Sequence, residues 1–172
     1  MNRVMISAAN DAEVPLPLPQ WSKNLKSYAL KVLARMNRDK WDLSVLLCDD
    51  ATISGLNARY RGKDEATDVL SFALDEGELF PAAAFCAQAA ASRRYSARKQ
   101  AGDIVISLDS LKENARRFQI SEDEELRRLL IHGILHLDGM DHRTNDTTEP
   151  MLQLQEDILE NITDAHILGR KV

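Results

Sequence analysis

HGILHLDGMDH, residues 132–142, carries three of the chain's four histidines, at positions i, i+4 and i+10 of one short stretch. If the stretch begins as a helix, His132 and His136 stand one turn apart on the same face. Gly139 can end that helix in the left-handed conformation that helix C-termini favour, and His142 then folds back beside the other two. Three imidazoles converging on one point match the ligand count of a catalytic zinc site, which keeps its fourth position open. A structural site is usually closed by a fourth side chain.

Upstream of the histidines, Ser121 and Glu124 have the spacing of a capping box ahead of an apolar run. They start a helix over about 122–138 whose apolar arc is Leu126, Leu129, Leu130, Ile134 and Leu137, with His132 and His136 at its edge. Ser110 and Glu113 have the same spacing and predict the start of the preceding helix. Downstream, Pro150 suits a first helical turn, and Met151, Leu154, Ile158 and Ile162 are the buried side of a last helix. Towards the N-terminus, residues 3–8, 42–48 (DLSVLLC), 67–74 (TDVLSFAL) and 103–107 (DIVIS) read as strands. Between the first two lie Pro15, Pro17 and Pro19, then a helix with Trp21, Leu25, Tyr28, Ala29, Val32, Leu33 and Met36 at helical spacing. Asp49 or Asp50 can cap a further helix, in which Ile53, Leu56 and Tyr60 share a face.

Residues 76–100 interrupt this order. AAAFCAQAAASRRYSARKQ has helix-forming composition without an amphipathic stripe, which reads as an insertion. No acidic residue falls between Phe80 and Gly102, while Arg93, Arg94, Arg98 and Lys99 do. A solvated loop is the default for such a run, with an RNA-facing track as its alternative.

The whole chain sets further bounds. Its 172 residues suit one domain, 1–172, with enough length to bury a core without disulfides. Cys48 and Cys86 have no metal-binding spacing and read as free thiols of a cytosolic protein. With no signal-peptide pattern and no window of membrane-spanning length, the expectation is a cytoplasmic protein with no membrane partner. A formal charge of −5 argues against indiscriminate coating of nucleic acid, though a local basic group is compatible with it.

Gly133 sits inside the histidine helix, where glycine costs about 1 kcal/mol relative to alanine, so close approach of another backbone is expected there. The zinc peptidase pattern HExxH places its general-base glutamate at that position. Here the spacing HxxxHxxGxxH of the metzincin peptidases is kept and the carboxylate is missing, which allows their metal geometry without their peptide chemistry. Asp141 is a candidate to orient a ligand imidazole; Asp138 is as easily a plain helix-end aspartate, and His166 is read as a bystander. Hydrolysis is the reaction class a catalytic zinc suits. If a phosphodiester is cut, arginine is the side chain best shaped to hold the growing charge, and LNARYRGKDEATDVLSF, 56–72, offers Arg59, Arg61 and Lys63 at a helix end.

HGILHLDGMDH following YRGKDEATDVLSF, with GDIVIS at 102–107 between them, resembles the YbeY family of bacterial endoribonucleases, also called rRNA maturation factors. The resemblance covers about residues 40–145. It departs from the common family pattern at Met140, Ala66 and Ala73 and in the length of the 76–100 insertion. It implies an α+β fold in which a small mixed sheet of about four strands packs with about five helices, the metal cleft lying beside the histidine helix. It also implies zinc, one ion per chain, on His132, His136 and His142, with Arg61 as the catalytic or substrate-positioning arginine. Arg59 and Lys63, of the same small basic group, are RNA-binding candidates on their charge alone. The implied activity is single-strand-specific cleavage of RNA, in maturing the 3′ end of small-subunit rRNA and in ribosome quality control. The implied partners are rRNA and the ribosome or its small-subunit proteins. Two rivals stand beside it: a metallopeptidase whose base comes from elsewhere, and a non-catalytic ribosome-assembly factor with a structural zinc.

Overall fold

The computed structural model describes residues 1–9, 18–74 and 98–169. Its four strands are β1 (Arg3–Ala8), β2 (Trp41–Cys48), β3 (Val69–Ala73) and β4 (Lys99–Ser107). The five helices among the described residues are α1 (Trp21–Arg35), α2 (Asp50–Arg61), α3 (Leu108–Phe118), α4 (Glu122–Leu137) and α5 (Pro150–Asn161). The strands form one mixed sheet in the order β1-β2-β4-β3, parallel except for β3, which runs antiparallel to β4. This is the α+β architecture expected from the sequence.

Every residue of β2 is buried, Asp42 and Ser44 included, which is why its sequence is mostly apolar and ends in the unbroken run Val45–Cys48. The period of two shows instead in where the side chains go. Leu43, Val45 and Leu47 join Ile104 and Ile106 of β4 in a core covered by α1, α4 and α5. Leu46 and Cys48 join Val105, Leu70 and Phe72 on the other face, under Ile53 and Leu56 of α2. Burial pushes the Cys48 thiol up to about 12, with Asp49 and Asp50 adding to the shift.

Helix starts follow the caps, with one correction. Asp49 caps α2 through its Oδ1, which accepts from the Thr52 N–H at 2.8 Å, and Ser121 caps α4 by accepting from the Glu124 N–H at 3.0 Å. Helix α3 does not begin at Ser110. The chain passes from β4 into the helix without a loop, so Ser107 is the cap and accepts from the Ser110 N–H, while the Ser110 hydroxyl donates to Asp50. Tyr60 also departs from expectation: Ile53 and Leu56 are buried, but Tyr60 is 37% exposed and meets the Phe72 ring edge-on at 5.5 Å.

Strand β4 begins four residues earlier than the sequence suggests, so Lys99 and Gln100 belong to the sheet rather than to an insertion. Lys99 lies over the Trp41 ring at 4.3 Å, and Arg98 pairs with Asp42 at 3.4 Å, fastening the end of the sheet. Pro15, Pro17, Cys86, Arg93 and Arg94 lie outside the described residues. Among those described, no helix is long and apolar enough to cross a membrane.

Helix α4 crosses β4 at Gly133. A Cβ built there would stand 2.8 Å from Cγ2 and 2.9 Å from Cδ1 of Ile104, itself fully buried. The close neighbour is thus a strand side chain, and not the backbone the sequence suggested. Gly133→Ala gains about 1 kcal/mol of helix propensity but overpacks the core by about 1–3 kcal/mol. Urea unfolding should show a net loss of roughly 1 kcal/mol, and a larger one for Gly133→Val. In a Cys86→Ser background, the Cys48 thiol should resist a thiol reagent at neutral pH until the protein is unfolded, since both burial and the raised pKa protect it.

Candidate metal centre

His132 and His136 occupy the last two turns of α4, and the turn that follows returns the chain. Asp138 is the C-cap; Gly139, at φ +88, donates to the His136 carbonyl, and the Met140 N–H reaches back to the Leu135 carbonyl at 3.1 Å. This pair of bonds is a Schellman closure, completed by Met140 packing against the core. His142 follows in a loop held by Glu149, whose Oε1 accepts from the N–H groups of Arg143 and Thr144 and from the Thr144 hydroxyl.

The three rings meet. Their centroids are 4.6, 5.1 and 5.5 Å apart, and one nitrogen from each lies within 4.8 Å of the others. Each Nδ1 faces an oxygen that can only accept. His132 Nδ1 is 2.9 Å from Gln155 Oε1, His136 Nδ1 is 3.0 Å from the Met140 carbonyl, and His142 Nδ1 is 2.9 Å from the Thr144 carbonyl. All three Nδ1 atoms therefore carry the proton, and in the neutral rings every Nε2 presents a lone pair. His132 Nε2 and His136 Nε2 lie 3.0 Å apart, two acceptors with nothing to share between them. Ligand nitrogens of a tetrahedral zinc stand about 3.3 Å apart, so the donor set fits such an ion. Burial lowers the pKa of both His132 and His136, which favours the neutral form that a metal requires.

The Gln155 amide is oriented in turn. Its Nε2 donates to Glu156 at 3.0 Å, and a carboxylate only accepts, so Oε1 is the atom left for His132. Arg128 grips Glu156 through Nε at 3.0 Å and Nη2 at 3.2 Å, and reaches Glu124 as well. Burial alone would lower the pKa of Arg128, but the bonds to Glu156 and Glu124 outweigh it and raise it. Glu156 is correspondingly held below its usual value: burial opposes this, and Arg128 and Gln155 overcome it.

The histidines open into a cleft of about 1210 Å³ that Arg61 and Lys63 also line. Arg59 does not line it and lies over the Tyr60 ring at 5.4 Å. Asp141 borders the cleft, but its carboxylate is 3.9 Å from His136 Nδ1, is 86% exposed, and accepts from the His142 N–H at 2.9 Å. The imidazoles are oriented by two backbone carbonyls and Gln155 rather than by an aspartate. Asp138 is turned away in a two-bond pair with Arg38, both at 2.7 Å, and His166 meets Asp123 at 3.3 Å. Sequence reading missed Gln155. The signal was present: Met151, Gln155 and Ile158 occupy one buried stripe of α5, and a glutamine there needs a polar partner.

Gln155→Leu should therefore weaken metal binding about 10–100-fold in competition with a chromophoric chelator, while Gln155→Glu, which keeps an acceptor, should not. Equal weakening by both would mean that the side chain matters only for packing.

The family model described as endoribonuclease YbeY matches residues 7–163. The endoribonuclease YbeY of Treponema denticola is 46% identical over 143 residues, covering 83% of this chain and 84% of its own. That of Persephonella marina is 38% identical over 164 residues, 94% of each chain. The solution structure of TM1509 from Thermotoga maritima superimposes with a TM-score of 0.55 at 28% identity, covering 93% of this chain and 87% of that one. Sequence and fold agree, and the chain belongs to the endoribonuclease YbeY family.

Proposed function

We propose that this protein is a zinc-dependent endoribonuclease that cuts single-stranded RNA, with His132, His136 and His142 holding one zinc ion and Arg61 contacting the scissile phosphate. The observation that carries this reading is the convergence of three imidazoles, each with its Nδ1 turned to an oxygen acceptor, in the cleft that Arg61 and Lys63 share. A zinc ion bound there supplies Lewis acidity towards a phosphoryl oxygen and lowers the pKa of water in its open position.

The chain's own side chains supply the rest. The planar Arg61 fork can hold two phosphoryl oxygens as negative charge grows on them, which a lysine cannot do with the same geometry. Lys63 is suited to a neighbouring phosphate as a point charge. Arg128 borders the same cleft but is taken up by Glu124, Glu125 and Glu156, so it serves the architecture of the site and not the substrate. Asp141 fixes the His142 backbone, and Arg59, outside the cleft, can meet RNA only beyond it.

Kinship supports RNA as the substrate, because the curated relatives are named endoribonucleases. The same reading assigns the protein to maturation of the small-subunit rRNA 3′ end and to ribosome quality control in the cytoplasm, with the small subunit or its proteins as partners. It acts as one domain, 1–172, with an insertion that ends before β4 begins at Lys99. A peptidase reading lacks support, since the position where the zinc peptidases carry their glutamate is a glycine packed onto Ile104.

Arg61→Ala should cut a single-stranded RNA about 10²–10³-fold more slowly while retaining its metal by elemental analysis. His136→Ala should lose both. Chelation should abolish cleavage and added zinc restore it; cleavage by fully metal-free protein would sink the reading.

A further inference from the structure

We propose that Phe118 is the platform of a nucleobase subsite, on which one base of a single-stranded RNA stacks while the backbone passes Arg61 and the histidines. This rests on the RNA reading of the cleft. Among the described residues only Met1, Tyr60 and Phe118 are large hydrophobic side chains left exposed. Met1 is the chain terminus, and Tyr60 has the Phe72 ring against it. Phe118 is 58% exposed and lines the same cleft as Arg61, Lys63 and the three histidines.

Its position follows from helix α3. Leu111, Ala115 and Phe118 recur at i, i+4 and i+7 on one apolar stripe, of which the first two are buried. The stripe outruns the core: the third member emerges into the cleft, which Leu129 of α4 also lines. The helix ends there, at Gln119 in the left-handed conformation, so Phe118 is held on a capped terminus rather than on a loop. Its neighbour Arg117 places a guanidinium carbon 5.7 Å from the ring centroid, adding positive charge beside the aromatic face. An aromatic face in the same groove as the cations Arg61 and Lys63 is the arrangement by which proteins hold single strands: bases on rings, phosphates on cations. Duplex RNA keeps its bases stacked on each other and cannot use the ring, so the subsite also accounts for a preference for single strands.

The test uses the zinc-loaded full chain and a single-stranded oligoribonucleotide, together with copies carrying one abasic nucleotide at each position in turn. Phe118→Ala and Phe118→Leu should each raise KM about tenfold, and Phe118→Trp should not, because leucine keeps the apolar volume but lacks the aromatic face. One abasic position should cost the wild type a similar factor and cost Phe118→Ala nothing further. If wild type cuts the RNA and the alanine and leucine variants share its KM, the subsite is wrong and the RNA reading stands. Equal losses in all three variants, with no abasic position silenced by Phe118→Ala, would make the residue structural and overturn the subsite. If the wild type cuts no single-stranded RNA, reading and subsite fall together.

Discussion

Helix α4 can lie on β4 as closely as it does because residue 133 has no side chain to meet Ile104. That contact sets the height of the helix above the sheet, and with it the position of His132 and His136, which flank the glycine at i−1 and i+3. The same contact aims position 133 into the core, so the glycine that brings the helix down also keeps a carboxylate away from the imidazoles. Packing and chemistry are decided at one position. A helix raised by one methyl group would have to tilt or shift, and the two nitrogens 3.0 Å apart would move relative to His142, which hangs on a separate loop.

That separate loop explains why so much hydrogen bonding surrounds a small site. Two ligands on one helix need no help to stay in register, whereas the third arrives only because Gly139 reverses the chain and Glu149 gathers three donors from residues 143 and 144. Helix α5 then supplies Gln155 from beneath. Its orientation is relayed from Arg128 on α4 through Glu156, so the helix that carries two of the histidines also fixes the partner of one of them. Preorganisation of this kind has an entropic basis: side chains already locked lose little freedom when a ligand binds.

The parts of this arrangement that the sequence discloses are those written in local spacing. Histidines at i and i+4, the helix-ending glycine, the Ser121 cap and the buried strand 42–48 all depend on neighbours within a turn or two, and all four are found in the structure. Parts that depend on distant contacts were hidden or misread. Ser110 has the local spacing of a cap, but the cap belongs to Ser107, because β4 runs into α3 directly and Asp50 claims the Ser110 hydroxyl. Aspartates beside the histidines are the natural guess for orienting partners, yet Asp138 is drawn off by Arg38 from the connection between α1 and β2, a residue 100 positions away. Arg59 and Arg61 look equivalent in the chain; the helical twist of α2 sends one over Tyr60 and the other to the cleft.

Neutral partners on the three Nδ1 atoms have an electrostatic consequence. A carboxylate in that place strengthens an imidazole as a ligand but returns negative charge to the site. Two backbone carbonyls and an amide orient the rings without that charge, so a divalent cation held by three neutral imidazoles would keep its full positive charge towards the cleft. The protein as a whole carries a formal charge of −5 and would repel a polyanion at long range. Attraction is therefore confined to within about a Debye length of the cleft, where Arg61 and Lys63 stand without carboxylate partners among the described residues. Such a charge distribution disfavours indiscriminate binding of polyanions and confines attraction to the neighbourhood of Arg61 and Lys63.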